Sequence, residues 1–403
     1  METGLDLSPV PAAKRTASLT DVVLLFAGAN IVTTTLVTGG SLSESFSFLQ
    51  SALLVGFGVV IGTLPIALLA RLGPRFGLPT MVLLRHPFGR LGAGAISLIL
   101  ILTNFAWIAL NNVIAAEAMA TLVGGSEWQW NLVVGAIAIG VALTGPRAMA
   151  LFDRLAVPLM VIVGLGLTVA LFGEAGREVL SRPGTGTLAL LAGLDIVVGY
   201  QISWSLMFAD YTRFQTSARS ASLAVFLGMT LSSLWLMTVG VGAGIAGGGN
   251  SPTEMILGLG LPLGALLLMA LSAITTNFVN IYLSSLAVKN LWGGAPERIT
   301  VLAVGSIGVA LGLFSPRLLD RYAGFMELIA TLLLPIVAVA AVHFFGRIGH
   351  PKDVSAPPAW SWTAALSWLA GVLTYQNLPA DLGATVPTLL VTALVYTLFR
   401  RLA

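Results

Sequence analysis

Long apolar runs, separated by short polar stretches, constrain the fold of this sequence more than any other feature. Many reach the roughly 20 residues that a helix needs to cross the hydrocarbon core of a bilayer. Only 9% of the 403 residues are charged and 57% are hydrophobic, whereas a soluble domain has about 25% charged residues. Because hydrocarbon offers backbone groups no water, a spanning segment of this kind satisfies them internally as a helix. The sequence therefore predicts an all-α polytopic membrane protein.

We predict twelve transmembrane helices, of which the fourth and ninth are short and contain glycine. The predicted spans cover residues 21–40, 46–70, 91–123, 129–146, 154–173, 187–209, 220–246, 261–287, 299–315, 322–345, 359–378 and 384–399. The polar tail 1–20 precedes the first span and has no pattern of a cleavable signal peptide. The other long polar stretch, 347–358, holds three prolines and is typical of a linker. It separates ten spans from a final pair.

Positive charge orients these spans, because cytoplasmic loops of membrane proteins carry an excess of Lys and Arg. With the N-terminus inside and the spans alternating, sixteen of the 20 Lys and Arg lie inside. The four outside are Arg177, Arg182, Arg317 and Arg321. A single missed span would remove this asymmetry. We therefore predict a multi-pass protein of the inner (plasma) membrane with both termini in the cytoplasm.

The first and sixth predicted spans share an unusual composition. Both hold glycine with hydroxyl or amide residues in mid-span, which lowers helix propensity, and they begin on opposite sides of the membrane. Interrupted helices at matching positions of two inverted halves indicate a transporter binding site. We predict a cytoplasmic tail (1–20), a first inverted repeat of spans one to five (21–175), a second of spans six to ten (185–346), and a linker with two C-terminal helices (347–403).

The first span contains the polar segment 28–40, in which Asn30 and Thr33 are candidate substrate ligands. An unwound turn there would free carbonyl groups for a cation or a substrate. The alternative is that the threonine hydroxyls bond back to the preceding turn, as they do in many membrane helices. The sixth span holds a second set of polar side chains, Tyr200, Gln201, Ser203 and Trp204. Hydrocarbon offers such side chains no water, so each of them needs a partner.

In the third span, Asn104, Trp107 and Asn111 are spaced i, i+3, i+7 and therefore share one helix face. Trp107 lies near mid-depth, away from the interface where tryptophan is common. An indole beside an amide suits a flat heteroaromatic ligand, which can both stack and form hydrogen bonds. The alternative is that Asn104 joins helices and Trp107 only packs.

The eighth span carries Ser272, Thr275 and Thr276. Paired hydroxyls with a carbonyl one turn earlier form half of an oxygen cage suited to a hard cation such as Na⁺. Carbonyl groups of the interrupted first span would complete the cage. Asn277 and Asn280 follow, and either could face the substrate.

The sequence offers little chemistry beyond binding. It contains no cysteine, and no Ser–His–Asp set, metal cluster or phosphate loop is recognisable, so we predict no enzymatic activity, no cofactor other than the coupling ion and no nucleic-acid partner. No acid or histidine lies at mid-depth, which favours a neutral substrate and Na⁺ over a proton. Glu117 keeps proton coupling open. An ion or solute channel is the alternative from another class, although a channel would have polar faces in several spans.

These residues resemble the nucleobase–cation symporter-1 family, which includes cytosine permease and a bacterial hydantoin transporter. The resemblance covers nearly the whole length. Its marks are residues 28–40, Gly77-Leu-Pro and Arg85-His-Pro-Phe-Gly89 in a loop, Trp107, Ser203-Trp204 with Asp210-Tyr-Thr-Arg213, and Thr275-Thr276-Asn277. The resemblance implies a leucine-transporter-like five-plus-five inverted repeat with two extra helices, alternating access and coupling to Na⁺.

Carried over by position, the resemblance also implies ligands. The base would stack on Trp107. The ion would bind the carbonyl groups of Gly28, Ile31 and Ser272 and the hydroxyls of Thr275 and Thr276. Two positions depart from the cytosine carrier, because Asn104 stands where that carrier has glutamine and Gln201 where it has an aromatic residue. The 203–213 stretch also resembles the branch that imports hydroxymethylpyrimidine, a thiamine precursor.

We therefore expect a secondary active importer of a cytosine- or purine-type nucleobase or a related planar nitrogen heterocycle, coupled to Na⁺. An importer of hydroxymethylpyrimidine or a similar pyrimidine is the alternative within the family. The partners are the small-molecule substrate, Na⁺ or H⁺, and the lipid bilayer; the sequence leaves the oligomeric state open, with a monomer expected. The predicted substrate-binding residues are Asn30, Thr33, Asn104, Trp107, Tyr200, Gln201, Ser203, Trp204, Asn277 and Asn280.

Overall fold

The computed structural model describes residues 7–173, 176–247, 252–257, 262–314, 318–346, 354 and 356–402. Most of the predicted linker 347–358 and residues 1–6 of the predicted tail lie outside this part. The first half contains α1 (Leu19–Asn30), α2 (Thr33–Gly40), α3 (Phe48–Ala70), α4 (Leu72–Phe76), α5 (Thr80–Val123), α6 (Glu127–Thr144), α7 (Pro146–Gly173) and α8 (Gly176–Ser181). The second half contains α9 (Leu190–Ile202), α10 (Ala218–Gly247), α11 (Pro252–Leu257), α12 (Pro262–Leu291), α13 (Glu297–Phe314), α14 (Tyr322–Phe345), α15 (Trp362–Asn377) and α16 (Thr385–Leu402).

The helices confirm the prediction of an all-α polytopic membrane protein. Among the described residues, eight helices are long and apolar enough to cross a membrane, or nine if the bent pair α1 and α2 counts as one span. Helices α6, α15 and α16 occupy the positions predicted for the fourth and the last two spans, but they are not among the eight. The count of twelve therefore stays a prediction.

The first predicted span is broken. Helix α1 begins at the N-cap Ser18, whose hydroxyl accepts the Asp21 N–H, and ends at Asn30. Residues Ile31 and Val32 separate it from α2, and the two helix axes differ in direction by 58°. The Thr35 hydroxyl donates to the Asn30 carbonyl (2.5 Å), which satisfies one carbonyl released at the break. The interruption predicted from the glycine- and threonine-rich composition is confirmed here.

The sixth span tightens instead of unwinding. Helix α9 ends at Ile202 and the chain continues as a 3₁₀ helix over Ser203–Met207. The Ser203 hydroxyl donates to the Tyr200 carbonyl at 2.6 Å, and its N–H bonds to preceding carbonyl groups. A 3₁₀ turn has a longer rise per residue and a different side-chain rotation from an α-helix. The first span is therefore broken, whereas Leu190–Met207 in the sixth is one span that changes from α to 3₁₀ geometry, and the predicted break is absent there.

The prediction of a loop over residues 77–89 is wrong for most of that stretch, which is helical. Helix α5 starts at Thr80 and is bent at Gly89, which has a φ of +79°. A side chain at Gly89 would place its Cβ 2.6 Å from the Trp360 Cα. The Arg90 and Leu91 N–H groups donate to the carbonyls of residues 358 and 359 (2.9 and 3.0 Å). The bend thus packs against the segment that precedes α15.

The first and last described segments of the chain lie at one end of the helix bundle. The Arg15 guanidinium donates to the Pro74 carbonyl (2.6 Å), just before α5. In the first turns of α5, His86 Nδ1 lies 2.6 Å from His343 Nε2 at the end of α14. Near the C-terminus, Arg400 donates to the His343 carbonyl at 3.2 Å. This arrangement fits an even number of crossings, and the side of the membrane stays a prediction.

Candidate functional site

A small internal cavity lies between helices α2, α5 and α12 and the 3₁₀ continuation of α9. Its volume is about 30 Å³, whereas one water needs about 10–15 Å³ by this measure. A ligand of the size of a nucleobase therefore requires the lining to move apart. The lining residues are Thr34, Leu100, Asn104, Trp107, Tyr200, Ser203, Trp204, Leu206, Met207, Thr276, Asn280 and Leu283.

Aromatic rings form one part of this lining. The Trp107 ring meets the Tyr200 ring edge-on, with centroids 6.0 Å apart and an interplanar angle of 87°. Phe325 of α14 packs against the same indole at 5.1 Å. Trp204 lines the cavity from the 3₁₀ turn. Edge-to-face contacts of this kind hold aromatic rings in place, so the indole of Trp107 has a fixed orientation in the cavity wall.

Tyr200 connects the sixth span to the break in the first. Its hydroxyl lies 2.6 Å from the Thr35 hydroxyl, which in turn donates to the Asn30 carbonyl. All three residues are buried. The tyrosine therefore joins the cavity wall to the residues that end α1.

Three polar groups of the cavity lining are buried and have no hydrogen-bond partner within the described part of the chain. They are the Trp204 Nε1, the Asn280 Nδ2 and the Thr276 hydroxyl. A buried polar group without a partner costs about 1–3 kcal/mol. Each group would gain from a ligand or water in the cavity.

Asn104 supplies an acceptor to the same space. Its Nδ2 donates to the Asn280 carbonyl at 3.2 Å and to the Ser284 hydroxyl at 3.0 Å. These bonds use the donor end of the amide and fix its orientation. No bond to its Oδ1 is present among the described residues, so the carbonyl end is available to a ligand.

The residues predicted to bind the ion lie on two elements, the end of α1 with the break that follows it, and helix α12. The Thr33 and Ser272 hydroxyls lie 2.8 Å apart, so the start of α2 packs on α12. The Thr275 hydroxyl donates to the Ser272 carbonyl (3.1 Å), whereas Thr276 lines the cavity. Gly28 lies near the end of α1, and its carbonyl accepts the Ile31 N–H at 3.2 Å. These are neutral oxygens at the break and on α12, which is the kind of donor that Na⁺ prefers.

Asn30 and Gln201, both predicted substrate ligands, lie outside the cavity lining. The Asn30 Nδ2 donates to the Phe26 carbonyl (3.1 Å), and its Oδ1 accepts the Ser233 hydroxyl of α10 (3.2 Å). Gln201 packs against Gly62 of α3. Thr33 is also absent from the lining. Asn30 and Thr33 thus bond to neighbouring helices. The Gln201 Oε1 accepts the Thr63 hydroxyl at 3.4 Å, whereas the buried Gln201 Nε2 has no partner among the described residues.

Asn277 belongs to a cluster of three amides between α5 and α12. Its Nδ2 donates to the Asn112 Oδ1 (2.8 Å) and the Ile108 carbonyl (3.3 Å). Its Oδ1 accepts the Asn111 Nδ2 at 3.2 Å. We call Asn111, Asn112 and Asn277 the amide cluster. Its hydrogen bonds join the two helices away from the cavity lining.

Sequence reasoning missed the apolar lining residues and Thr34. Leu100 precedes Asn104 by four residues, and Leu283 follows Asn280 by three, so helical spacing from the polar residues would have identified both. Leu206 and Met207 lie in the 3₁₀ turn, where that spacing does not apply. The three consecutive threonines 33–35 give no indication of which one faces the cavity.

The sequence matches known transporters over nearly its whole length. The profile of a family described as permease for cytosine/purines, uracil, thiamine, allantoin matches residues 9–397. Cytosine permease of Escherichia coli (strain K12) is 25% identical over 380 residues, which cover 92% of this chain and 88% of that protein.

Solved structures share the fold. Mhp1, a nucleobase-cation-symport-1 family transporter, in a closed conformation with bromovinylhydantoin bound, superposes with a TM-score of 0.82 at 17% identity, covering 98% of this chain and 94% of that one. A Na⁺-coupled sialic acid symporter has a TM-score of 0.71 at 11% identity, covering 96% and 90% of the two chains. The match to the permease profile shows that this chain belongs to the nucleobase–cation symporter-1 family and is a membrane transporter, not an enzyme.

Proposed function

We propose that this protein is a secondary active importer of a nucleobase or a related planar nitrogen heterocycle, and that the cavity is its substrate site. The observation that carries the proposal is the lining itself, which combines indole and phenol rings with unpartnered polar groups. Relatives named cytosine permease and the hydantoin complex of Mhp1 support the same class of substrate.

The polar groups suit the edge of a base. Trp204 Nε1 and Asn280 Nδ2 are donors, and Asn104 Oδ1 is an acceptor. A pyrimidine or purine edge carries ring-nitrogen or carbonyl acceptors beside an N–H donor, so one flat molecule can satisfy all three groups. The Trp107 ring would stack on it. Tyr200 and Ser203 complete the lining, and their hydroxyl groups already bond within the protein.

Na⁺ is the coupling ion that the donor set favours. We assign it to the carbonyl groups of Gly28, Ile31 and Ser272 and the hydroxyls of Thr275 and Thr276. The contact between Thr33 and Ser272 brings the break in the first span against α12, which supports this assignment. Because Thr276 also lines the cavity, ion and substrate would share one boundary on α12.

The small volume of the cavity supports alternating access. A cavity of about 30 Å³ cannot admit a base until helices separate. The break between α1 and α2 and the 3₁₀ turn after α9 are the places where the spans can bend. We propose that residues 21–175 and 185–346 form the two inverted repeats that move, with α15 and α16 outside them.

For orientation, we propose that the end of the bundle holding both termini faces the cytoplasm and that the membrane is the inner (plasma) membrane. The sixteen Lys and Arg on that side support this topology. A reporter that is active only in the cytoplasm, fused to the C-terminus, should be active. An inactive reporter on an intact fusion protein would contradict the orientation.

A ligand screen on the purified protein tests the proposed function. Apparent Tm would be measured with cytosine, purines, uracil, hydantoins and hydroxymethylpyrimidine, each with Na⁺ or with K⁺ at equal ionic strength. Heterocycles that raise the Tm would then be tested for saturable, Na⁺-dependent uptake into proteoliposomes. A response restricted to hydroxymethylpyrimidine would favour the thiamine-precursor alternative. Non-saturable flux, or no response to any heterocycle, would contradict the proposal.

A further inference from the structure

A second, larger groove lies on the outside of the protein between α5 and the end of α12. Its volume is about 450 Å³. The groove lies at the end of the bundle that holds the first and last described segments of the chain. Its residue Arg85 is next to His86, and the His86 ring is hydrogen-bonded to His343 at that end. It is lined by Arg85, Arg90, Leu91, Gly94, Ala95, Leu98, Asn290 and Leu291.

On α5, the wall of the groove is an apolar stripe whose two central residues, Gly94 and Ala95, are small. Leu91, Gly94, Ala95 and Leu98 have the spacing i, i+3, i+4, i+7 and therefore share one helix face. Leu91 is 66% and Leu98 51% exposed. A Cβ at Gly94 would lie 3.2 Å from the Leu291 Cδ2. The small residues thus open a channel between leucine side chains that face the membrane.

The mouth of the groove carries two positive charges. The Arg85 Nε donates to the Asn290 Oδ1 at 2.8 Å, and Asn290 in turn donates to the Ser97 hydroxyl at 2.9 Å. This partner holds the guanidinium in place without neutralising it. Arg90 is exposed, and its side chain has no hydrogen bond or ion pair among the described residues. None of the described lining residues is acidic.

We propose that this groove binds an anionic phospholipid of the bilayer. The phosphate lies between the Arg85 and Arg90 guanidinium groups, and one acyl chain follows Gly94 and Ala95 toward Leu98. Basic pockets between membrane helices on the cytoplasmic side bind anionic lipid headgroups in this way.

The apolar stripe distinguishes a lipid from a soluble anion. A free phosphate would need only the arginines, whereas the groove continues along exposed leucines that lie in the membrane-spanning part of α5. Trp292 and Trp362 are exposed at the same end (63% and 71%), and exposed tryptophan marks the headgroup level. A bound lipid would bridge α5 and α12, the two helices that also supply Asn104 and Asn280 to the cavity.

Native mass spectrometry of the purified protein tests the proposal by measuring the Kd of the first bound lipid. The probes are phosphatidylglycerol, phosphatidylcholine with the same acyl chains, and glycerol phosphate. We expect tighter binding of phosphatidylglycerol than of the other two. Arg90→Gln should weaken it about five-fold, since a basic residue near an anionic surface contributes about 1 kcal/mol at 1.4 kcal/mol per decade.

Two matched controls separate the groove from general surface effects. Arg298→Gln removes an exposed arginine at the start of α13, outside the groove. It should change the Kd by less than about two-fold, because its charge does not contact the bound headgroup and salt screens an exposed charge. Gly94→Leu fills the channel and should weaken lipid binding, whereas Gly140→Leu, at a glycine with open space around it, should not.

Three results would overturn the proposal. Equal losses in Arg90→Gln and Arg298→Gln would indicate general surface charge. Glycerol phosphate that binds as tightly as the lipid, with no effect of Gly94→Leu, would indicate a soluble anion. Equal affinity for phosphatidylcholine would show that the headgroup charge is not recognised.

Discussion

Two asparagines on α12, less than one turn apart, differ in what surrounds them. Asn277 has its amide bonded on both sides within the amide cluster. Asn280 faces the cavity, and its Nδ2 has no partner among the described residues. Both are buried. A buried polar group in a membrane helix can therefore hold helices together or await a ligand, and its partners decide which.

The difference is one of free energy as well as position. A satisfied amide cluster stabilises the contact of α5 and α12, because breaking it leaves buried groups unpaired. The unpartnered groups of the cavity, in contrast, cost the ligand-free fold free energy and gain partners when a substrate binds. Substitutions in the cavity should thus change substrate affinity, and substitutions in the amide cluster should change stability.

The largest expected effect is on the cavity side. Trp107→Ala should weaken substrate binding by about 1–3 kcal/mol, by analogy with stacking of bases on aromatic rings, which is roughly a five- to 140-fold loss. Affinity would be measured by isothermal titration with the best heterocycle from the screen. Trp128→Ala, at an exposed tryptophan of α6, is the control and should bind normally. Unchanged affinity in folded Trp107→Ala would mean that the indole only packs.

A substitution in the amide cluster should lower stability and leave substrate affinity nearly unchanged. Asn277→Leu keeps the branched shape of the side chain but leaves the Asn111 Nδ2 and the Asn112 Oδ1 without their partner. We expect a loss of about 1–3 kcal/mol in the free energy of unfolding, seen as a lower apparent Tm. Substrate affinity should be nearly unchanged. A large loss of affinity without a loss of stability would place Asn277 in the substrate site after all.

Asn280, three residues further along α12, provides the reverse test, in which affinity should fall and stability should not. Asn280→Leu should weaken substrate binding about two- to ten-fold, because one hydrogen bond contributes about 0.5–1.5 kcal/mol. The Asn280 carbonyl would still accept the Asn104 Nδ2, so the apparent Tm should not fall. If Asn280→Leu instead destabilised the protein and left affinity unchanged, the distinction between the two regions would fail.

The smallest effect is expected at the boundary between ion and substrate. Ion and substrate should tighten each other's binding by one common factor. Thr275→Ala should reduce this factor a few-fold and leave affinity without Na⁺ unchanged, because Thr275 bonds to Ser272 away from the lining. Thr276→Ala should reduce the coupling more than it lowers affinity without Na⁺, and Thr→Ser should be milder at both positions.

The measurement is substrate affinity at zero and saturating Na⁺, with K⁺ holding ionic strength constant. Thr397→Ala on α16, where the hydroxyl bonds to its own helix, is the control. No Na⁺ effect in the unmodified protein would exclude the proposed ion site. A proton would then be the coupling ion to test, starting with Glu117→Gln on α5.

Much of this molecule follows from local sequence. Apolar length defines the helices, and the glycine- and threonine-rich segment 28–40 weakens the first of them enough to break at residues 31–32. The spacing of Asn104 and Trp107 places both on one face of α5, and both line the cavity. These features depend on helix geometry and propensity, which act over a few residues.

Tertiary structure decided which polar residues face the cavity. In a helix that is buried on all sides, neither periodicity nor hydrophobicity indicates rotation. The fit of Gln201 against Gly62 turns it toward α3, and the 3₁₀ turn brings Leu206 and Met207 into the lining. Likewise, residues 80–88 include a proline and resemble a loop in sequence, yet they form a helix. The chain bends after them, at Gly89, which packs against the Trp360 backbone. Contacts between distant segments set these orientations, because each depends on a partner far away along the chain.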